Sequence, residues 1–443
     1  MQIILLAAVI GLMHAARSFA PQPGLGATPA SITMAAGFIL LAALFTGNLF
    51  KRCGLPQLTG YLCIGILVGP HVFDLVSERM LADLRIFNGV AIALIALTAG
   101  AEMDFRTMKP LLRGIAWVSG IAVMGTMLAL SAAVWLAGDF LPFTAGLTPL
   151  QKLAFAVVLG VTVSAQSPAV AVALRTETEA DGPLTRTVLG VVVASDLIVI
   201  LLFAVTSTVA RRMLGGASAD SSPLAVVVWE VLGSAAAGVL IGMLTAAFLR
   251  TVQKSGALFI VVVGFLVAEV GERIALDPLL IALSAGMLIR NLTRHGDRLH
   301  AELAAASLPV YLGFFAVAGA TIHLNELAVL GVPAAIFVLV RGAGFLTGTR
   351  IAGRIAGTPE VVSRYAGFGL LPQSGLALAI ALLFARMFPQ FGAQASALVF
   401  GIVGINELAG PVLYRWALLR SGEAGKAGQP VAERAFAPIV SEP

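Results

Sequence analysis

Apolar residues recur along this chain in blocks of about 15–27, separated by short loops that hold most of the charges. A block of about 20 residues is the length at which a helix crosses a bilayer. Fourteen such segments can be read: 1–17, 33–50, 57–73, 86–105, 112–138, 150–174, 185–210, 223–250, 256–272, 275–290, 306–322, 330–353, 362–386 and 392–418. The first is short, has no Lys or Arg before it and is followed by Arg17, so it reads either as a spanning helix or as a signal-like segment. The expectation is thirteen transmembrane helices, or fourteen if 1–17 is counted. Composition agrees: 59% of the 443 residues are hydrophobic and 12% are charged, whereas a soluble domain carries about 25% charged residues.

The loops carry an asymmetric charge. Taking alternate loops from 51–56 onward, one set holds nineteen Lys and Arg residues, among them Lys51, Arg106, Arg175, Arg250, Arg294, Arg354 and Arg420. The opposite set holds six, Arg79, Arg85, Arg211, Arg212, Arg273 and Arg386. The basic side faces the cytoplasm, which puts the C-terminus there and predicts a multi-pass inner-membrane protein. The net charge of +5 is spread over many loops, so it gives no nucleic-acid signal. Cys53 and Cys63 have no His or Cys partner at metal-ligand spacing and read as small buried hydrophobes. No Gly-x-x-x-x-Gly-Lys loop is present, so nothing suggests ATP-driven transport or a nucleotide-binding domain. No residue set suggests hydrolysis, and no cofactor is expected.

The domain reading is an N-terminal helix or signal-like segment with an external loop over 1–32, then a membrane domain over 33–420. Its core helices fall at about 86–210 and 330–418, with the remainder as scaffold. Residues 421–443 are polar, rich in Gly, Ala and Pro, and read as a disordered cytoplasmic tail. Segments 112–138, 150–174 and 185–210 form one triplet, and 330–353, 362–386 and 392–418 another. Each middle member carries a polar, helix-breaking patch, Gln166-Ser167-Pro168 in one and Pro372-Gln373-Ser374-Gly375 in the other. By the loop assignment the triplets start on opposite sides of the membrane. The fold expected is therefore all-α and polytopic, with inverted repeats and two crossed discontinuous helices. In secondary transporters such matched interruptions point to a midplane binding site.

Asp196 lies about eleven residues into its apolar segment, roughly 17 Å deep at about 1.5 Å per residue. A charge there is costly, and a low dielectric favours the neutral acid, which makes Asp196 a candidate proton carrier. Read blandly, it would only cross-link helices. Arg341, at half depth of segment 330–353, is its natural partner, because a guanidinium keeps its proton and needs a counter-charge or a wet cavity. A static salt bridge locking two helices is the plainer reading of that pair. Around the first break, Pro168 removes a backbone hydrogen bond. The freed carbonyls could ligate a small cation, with hydroxyls of Thr162, Ser164 and Ser167 and the amide of Gln166 beside them. Gln373 and Ser374 occupy the matching place in the second half. Crossing breaks would set opposite dipole ends face to face, which a fixed charge such as Arg341 or Asp196 would compensate. Glu407, in the third helix of the second triplet as Asp196 is in the third helix of the first triplet, would interact with the breaks or brace them. Glu102, Asp104, Glu269 and Asp277 fall near segment ends, where solvated carboxylates are ordinary.

The chain resembles the cation:proton antiporter-2 family of bacterial membrane proteins over roughly Ala36 to Arg415. The resemblance rests on Gly54-Leu55-Pro56-Gln57-Leu58-Thr59-Gly60-Tyr61 with Gly65-Ile66-Leu67-Val68-Gly69-Pro70, and on Ala99-Gly100-Ala101-Glu102-Met103-Asp104. Asp196 in its apolar helix, Ala285-Gly286-Met287-Leu288, Phe314-Phe315 and Leu371-Pro372-Gln373-Ser374-Gly375 follow in family order. It implies a homodimer of subunits with a dimerisation domain and a six-helix core, elevator-type transport, and exchange of protons for sodium or potassium. By similarity Asp196 is the ion- and proton-binding aspartate and Arg341 the basic residue that pairs with it. Ser195 departs from the Asn, Asp or Gln common before that aspartate. A single midplane aspartate in the helix, with an arginine that carries no exchangeable proton, points to one proton per cation and electroneutral exchange. The lack of a regulatory domain argues against the glutathione-gated type. The competing readings are a channel-like potassium efflux protein, an organic-anion transporter on the related bile-acid-type fold, and a sensor that has lost exchange.

Overall fold

The computed structural model describes residues 2–18, 29–139, 141, 144, 147–213, 223–252, 256–274, 276–321, 324–373 and 392–427. Among the described residues every regular element is helical. In chain order the longer ones are α1 (Gln2–Ser18), α2 (Pro29–Arg52), α3 (Gln57–Val68), α4 (Arg85–Glu102) and α5 (Lys109–Asp139). Then come α6 (Pro149–Ser164), α7 (Pro168–Thr178), α8 (Pro183–Met213), α9 (Pro223–Thr251) and α10 (Gly256–Arg273). The last are α11 (Pro278–Leu292), α12 (Gly296–Ala320), α13 (Leu324–Ala356), α14 (Glu360–Gly369) and α15 (Gly392–Arg420).

Seven stretches among the described residues are long and apolar enough to cross a membrane: Thr33–Arg52, Lys109–Asp139, Pro149–Thr178, Pro183–Ser207, Val231–Thr251, Val332–Ala356 and Leu398–Arg420. Shorter apolar helices, α3 and α11 among them, accompany these. The protein is thus an all-helical, multi-pass membrane protein. The first apolar block, left open between two readings, forms helix α1.

Two compact units are present, Met1–Phe105 with Ala219–Leu330, and Arg106–Ser218 with Gly331–Pro443. Helix α4, expected inside the core at about 86, falls in the first unit. Its reason is packing between small residues. A Cβ on Gly286 of α11 would fall against the carbonyl of Leu97, and one on Gly100 of α4 against that of Leu283. The backbones of α4 and α11 therefore approach as closely as glycine allows, the usual device where lipid offers no hydrophobic drive between helices. Gly65 of α3 meets Ala316 of α12 in the same way. Asn291 then ties the end of α4, donating to Met103 O at 2.7 Å and accepting from Phe105 N at 2.7 Å.

The carboxylates expected to be merely solvated are mostly engaged. Asp277 caps α11, accepting from Leu279 N at 2.8 Å. Asp104 lies 3.3 Å from Arg290, and exposed Glu269 pairs with Arg273 at 2.6 Å. The side chain of Glu102 lies outside the described residues.

In the second unit, Thr148 and Gln151 form a reciprocal capping box that starts α6, with Pro149 at its first position. The beginning of the tail corrects the sequence reading. Residues 421–427 fold back on the turn between α7 and α8, and Glu423 is 4% exposed. Its carboxylate accepts from Leu184 N at 2.7 Å, Thr185 N at 2.8 Å and Thr185 Oγ1 at 2.6 Å. Gly425 N and Ala427 N donate to Thr178 O and Glu179 O. An acceptor for the unsatisfied N–H groups of α8 comes from 238 residues away in sequence, so composition alone reads this stretch as disorder.

Candidate functional site

The second unit contains an interruption in one apolar helix and a non-helical stretch, the second break, at the described end of another. The first lies between α6 and α7. Helix α6 stops at Ser164, Ala165 is extended, and α7 restarts at Pro168 with Ser167 as its N-cap, the Ser167 hydroxyl accepting from Val170 N at 3.1 Å. Proline at the first helical position has no N–H to orphan and fixes the restart. Thr162, Ser164 and Gln166 have no exposure, and Ser167 has 1%. Non-helical backbone at membrane depth is tolerated only where protein or a wet cavity surrounds it, and here protein surrounds it. The second break begins where α14 ends at Gly369, and Leu370 to Gln373 are non-helical. Ser374, expected at the second site, lies outside the described residues.

Arg341 joins the two breaks. It projects from α13 with no exposure and stacks over Phe345, its Cζ 4.7 Å from the ring centroid. Its Nε donates to Val163 O at 3.0 Å and its Nη2 to Ala165 O at 2.8 Å, both at the end of α6. Its Nη1 donates to Leu371 O at 2.5 Å and its Nη2 to Leu370 O at 3.2 Å, both past the end of α14. Two helix C-termini, ends of the same negative sign, thus converge on one cation. The sequence reading set opposite dipole ends face to face. At Arg341 the ends are alike, which is why a permanent positive charge can serve both.

Gln373 adds a second link. Its Nε2 donates to Val163 O at 2.8 Å, and its Oε1 accepts from Asn406 Nδ2 at 2.9 Å. Asn406 also donates to Ile402 O at 3.0 Å within α15. Asn406 was not singled out by sequence reasoning. Its signal was a carboxamide in an otherwise apolar stretch, beside the more conspicuous Glu407. Glu407 itself is 3% exposed, and its Oε2 has no hydrogen-bond partner among the described residues.

Helix α8 brings Ser195 and Asp196, which are 0% and 2% exposed. The Ser195 hydroxyl bonds Gln166 Oε1 and lies 2.8 Å from Val192 O. The Gln166 amide completes the link by donating to Ser164 O at 2.9 Å. Asp196 therefore sits next in sequence to a residue fastened to the first break. Thr162 and Ser164 donate their hydroxyl protons to Val158 O and Val161 O at 2.9 and 2.7 Å. That use of the proton leaves oxygen lone pairs, the ligands a hard monovalent cation takes. Among the described residues no group of three or more His, Cys, Asp or Glu is placed to hold a metal ion.

Residues 39–414 match the family described as sodium/hydrogen exchanger, transmembrane. The chain belongs to this family. This chain is 30% identical over 181 residues to the iron transporter MagA of Paramagnetospirillum magneticum, a match covering 40% of this chain and 38% of that protein. It is 26% identical over 361 residues to the Na(+)/H(+)-K(+) antiporter GerN of Bacillus cereus, covering 77% of this chain and 85% of GerN. Its fold resembles the sodium proton antiporter MjNhaP1 of Methanocaldococcus jannaschii, with a TM-score of 0.66 at 15% identity over 90% of this chain and 99% of that one.

Proposed function

We propose that this exchanger moves protons against a monovalent cation, sodium or potassium, across a bacterial inner membrane, with Asp196 as the group that binds either. The observation that carries the reading is the buried Asp196 on α8, with its neighbour Ser195 bonded to the first break. A carboxylate at a helix interruption accepts a proton or a metal ion in turn, and the two exclude each other. Thr162, Ser164, Gln166, Ser167 and Ser195 supply neutral oxygens around that break, Gln373 belongs to the second break with Ser374 next to it in sequence, and Glu407 supports it. Arg341 holds the carbonyl ends together; among the described residues its donors go to these carbonyls and not to Asp196, the partner its sequence position suggested. GerN, named a Na(+)/H(+)-K(+) antiporter, supports both candidate ions.

One titrating aspartate in the helix and a permanently charged arginine favour one proton per cation, so exchange is electroneutral. The unit containing the breaks is the moving part in an elevator-type cycle, the exchanger is a homodimer, and its C-terminus is cytoplasmic. The test uses the purified protein in liposomes with an acid interior and a pH-sensitive dye. Adding sodium or potassium dissipates the proton gradient, and Asp196→Asn abolishes this while remaining folded by size exclusion. Cation flux that persists in Asp196→Asn would indicate a channel, and no response to any monovalent cation would overturn the reading. The same rate under an imposed potential supports electroneutrality, and acceleration refutes it.

A further inference from the structure

A second polar feature lies in the first unit, apart from the helix breaks. A cavity of about 860 Å³ opens at the ends of α9 and α11, lined by Arg250, Thr251, Thr293, Arg294 and His295. Arg250 and Arg294 are exposed, and neither forms an ion pair among the described residues. The acidic groups close in sequence are engaged elsewhere. Asp297 pairs with Arg290 at 2.6 Å, and Glu302 lies 4.0 Å from Arg298.

Local dipoles favour an anion there as well. The C-terminus of α9 would repel one, but Arg298 covers it, donating to Leu249 O and, at 2.7 Å, to Val252 O. Helix α12, 25 residues long, starts at Gly296 with His295 as an N-cap that makes no side-chain capping bond. Its positive end thus begins at a cavity-lining residue. On α9, Leu240, Met243 and Leu244 are 56%, 52% and 60% exposed and descend at helical spacing toward Ala247 at the cavity wall. Leu292, beside the cavity on α11, is 79% exposed. An apolar stripe ending in unpaired arginines has the chemistry of a lipid with a charged head: acyl chains lie along the stripe and a phosphate sits among the basic groups.

We infer that this cavity binds the phosphate of an anionic membrane lipid, its acyl chains lying along Leu240, Met243 and Leu244. Native mass spectrometry of the full-length, delipidated protein tests this with phosphatidylglycerol or cardiolipin added, phosphatidylcholine as the neutral control, and inorganic phosphate in a separate arm. Anionic lipid adducts survive activation that strips phosphatidylcholine. Arg250→Gln/Arg294→Gln weakens their binding roughly thirtyfold, at about fivefold per lost charge, while Arg250→Lys/Arg294→Lys retains them. Equal lipid retention in the Gln variant overturns the inference. So does thermal stabilisation by inorganic phosphate alone that matches the stabilisation by anionic lipid, since the site would then recognise free phosphate. Occlusion of the same residues by a second copy, seen as a dimer that excludes lipid from the wild type, overturns it too.

Discussion

Gln373 donates its side-chain amide to Val163 O at 2.8 Å, so the second helix break is hydrogen-bonded to the end of the half-helix that forms the first. The same carbonyl accepts from Arg341 Nε at 3.0 Å. One backbone oxygen therefore serves two side chains, one neutral and one charged, and the two can be separated by mutation.

Gln373→Leu removes the neutral link. Val163 O keeps its bond from Arg341, and Asn406 keeps Ile402 O, so neither partner is orphaned. The cost to stability is then small, about 1–2 kcal/mol for two net hydrogen bonds. Transport suffers more, because the break loses its fixed position. Thermal unfolding followed by fluorescence, alongside liposome exchange rates, separates the effects. A variant with wild-type exchange would show that the link only braces the fold.

Arg341→Met is expected to be far more damaging. It strands three buried carbonyl groups, those of Ala165, Leu370 and Leu371, while Val163 O keeps its bond from Gln373; each stranded group costs about 1–3 kcal/mol, and two negative helix ends are left uncompensated. Folded protein should not be recovered. Arg341→Lys keeps the charge but has three donors on a single nitrogen in place of the planar fork, so it folds with a lowered melting temperature and loses the stacking on Phe345. Recovery of well-folded Arg341→Met at wild-type melting temperature would refute the capping role.

The proposed competition between proton and cation at Asp196 has a signature in pH. When one carboxylate binds either species, acidification below its titration raises the apparent KM for the cation about tenfold per pH unit, leaving the maximal rate set by other steps. Above the titration KM is flat. Ser195→Ala, which frees Gln166 Oε1 from the Ser195 hydroxyl, raises KM while preserving that slope. A KM independent of pH throughout would mean that protons and cations occupy separate groups.

Much of this architecture was legible in the sequence, for identifiable reasons. Apolar blocks of bilayer length give the spans, and Pro168 and Pro372 mark the breaks because proline cannot donate to a helix. The glycines in the motifs at Gly65, Gly100 and Gly286 turn out to be points of helix contact, not ligands, which periodicity alone could not tell. What stayed hidden depends on distance along the chain. Arg341 was visible as a buried charge, but four of its hydrogen bonds go to backbone carbonyls 29 to 178 residues away, and carbonyls are the same in every residue. Asn406 was overlooked because its role depends on Gln373, 33 residues earlier.

The clasp at Glu423 supplies the last test. Its carboxylate meets three donors at the start of α8, and Gly182 leaves room for it, since a Cβ there would fall on the Glu423 carboxyl group. Helix α8 carries Asp196, so the start of the C-terminal tail is fastened to the helix that bears the candidate ion-binding group. Glu423→Ala leaves two backbone N–H groups and the Thr185 hydroxyl without this acceptor and should cost about 1–3 kcal/mol. Gly182→Val should do the same by displacing the carboxylate, although it touches no donor. Truncation after Arg420 should match Glu423→Ala if the carboxylate is the main attachment. Melting temperatures of the three variants settle it: if truncation destabilises while Glu423→Ala and Gly182→Val do not, the backbone bonds of Gly425 and Ala427 hold the tail, and the carboxylate is incidental.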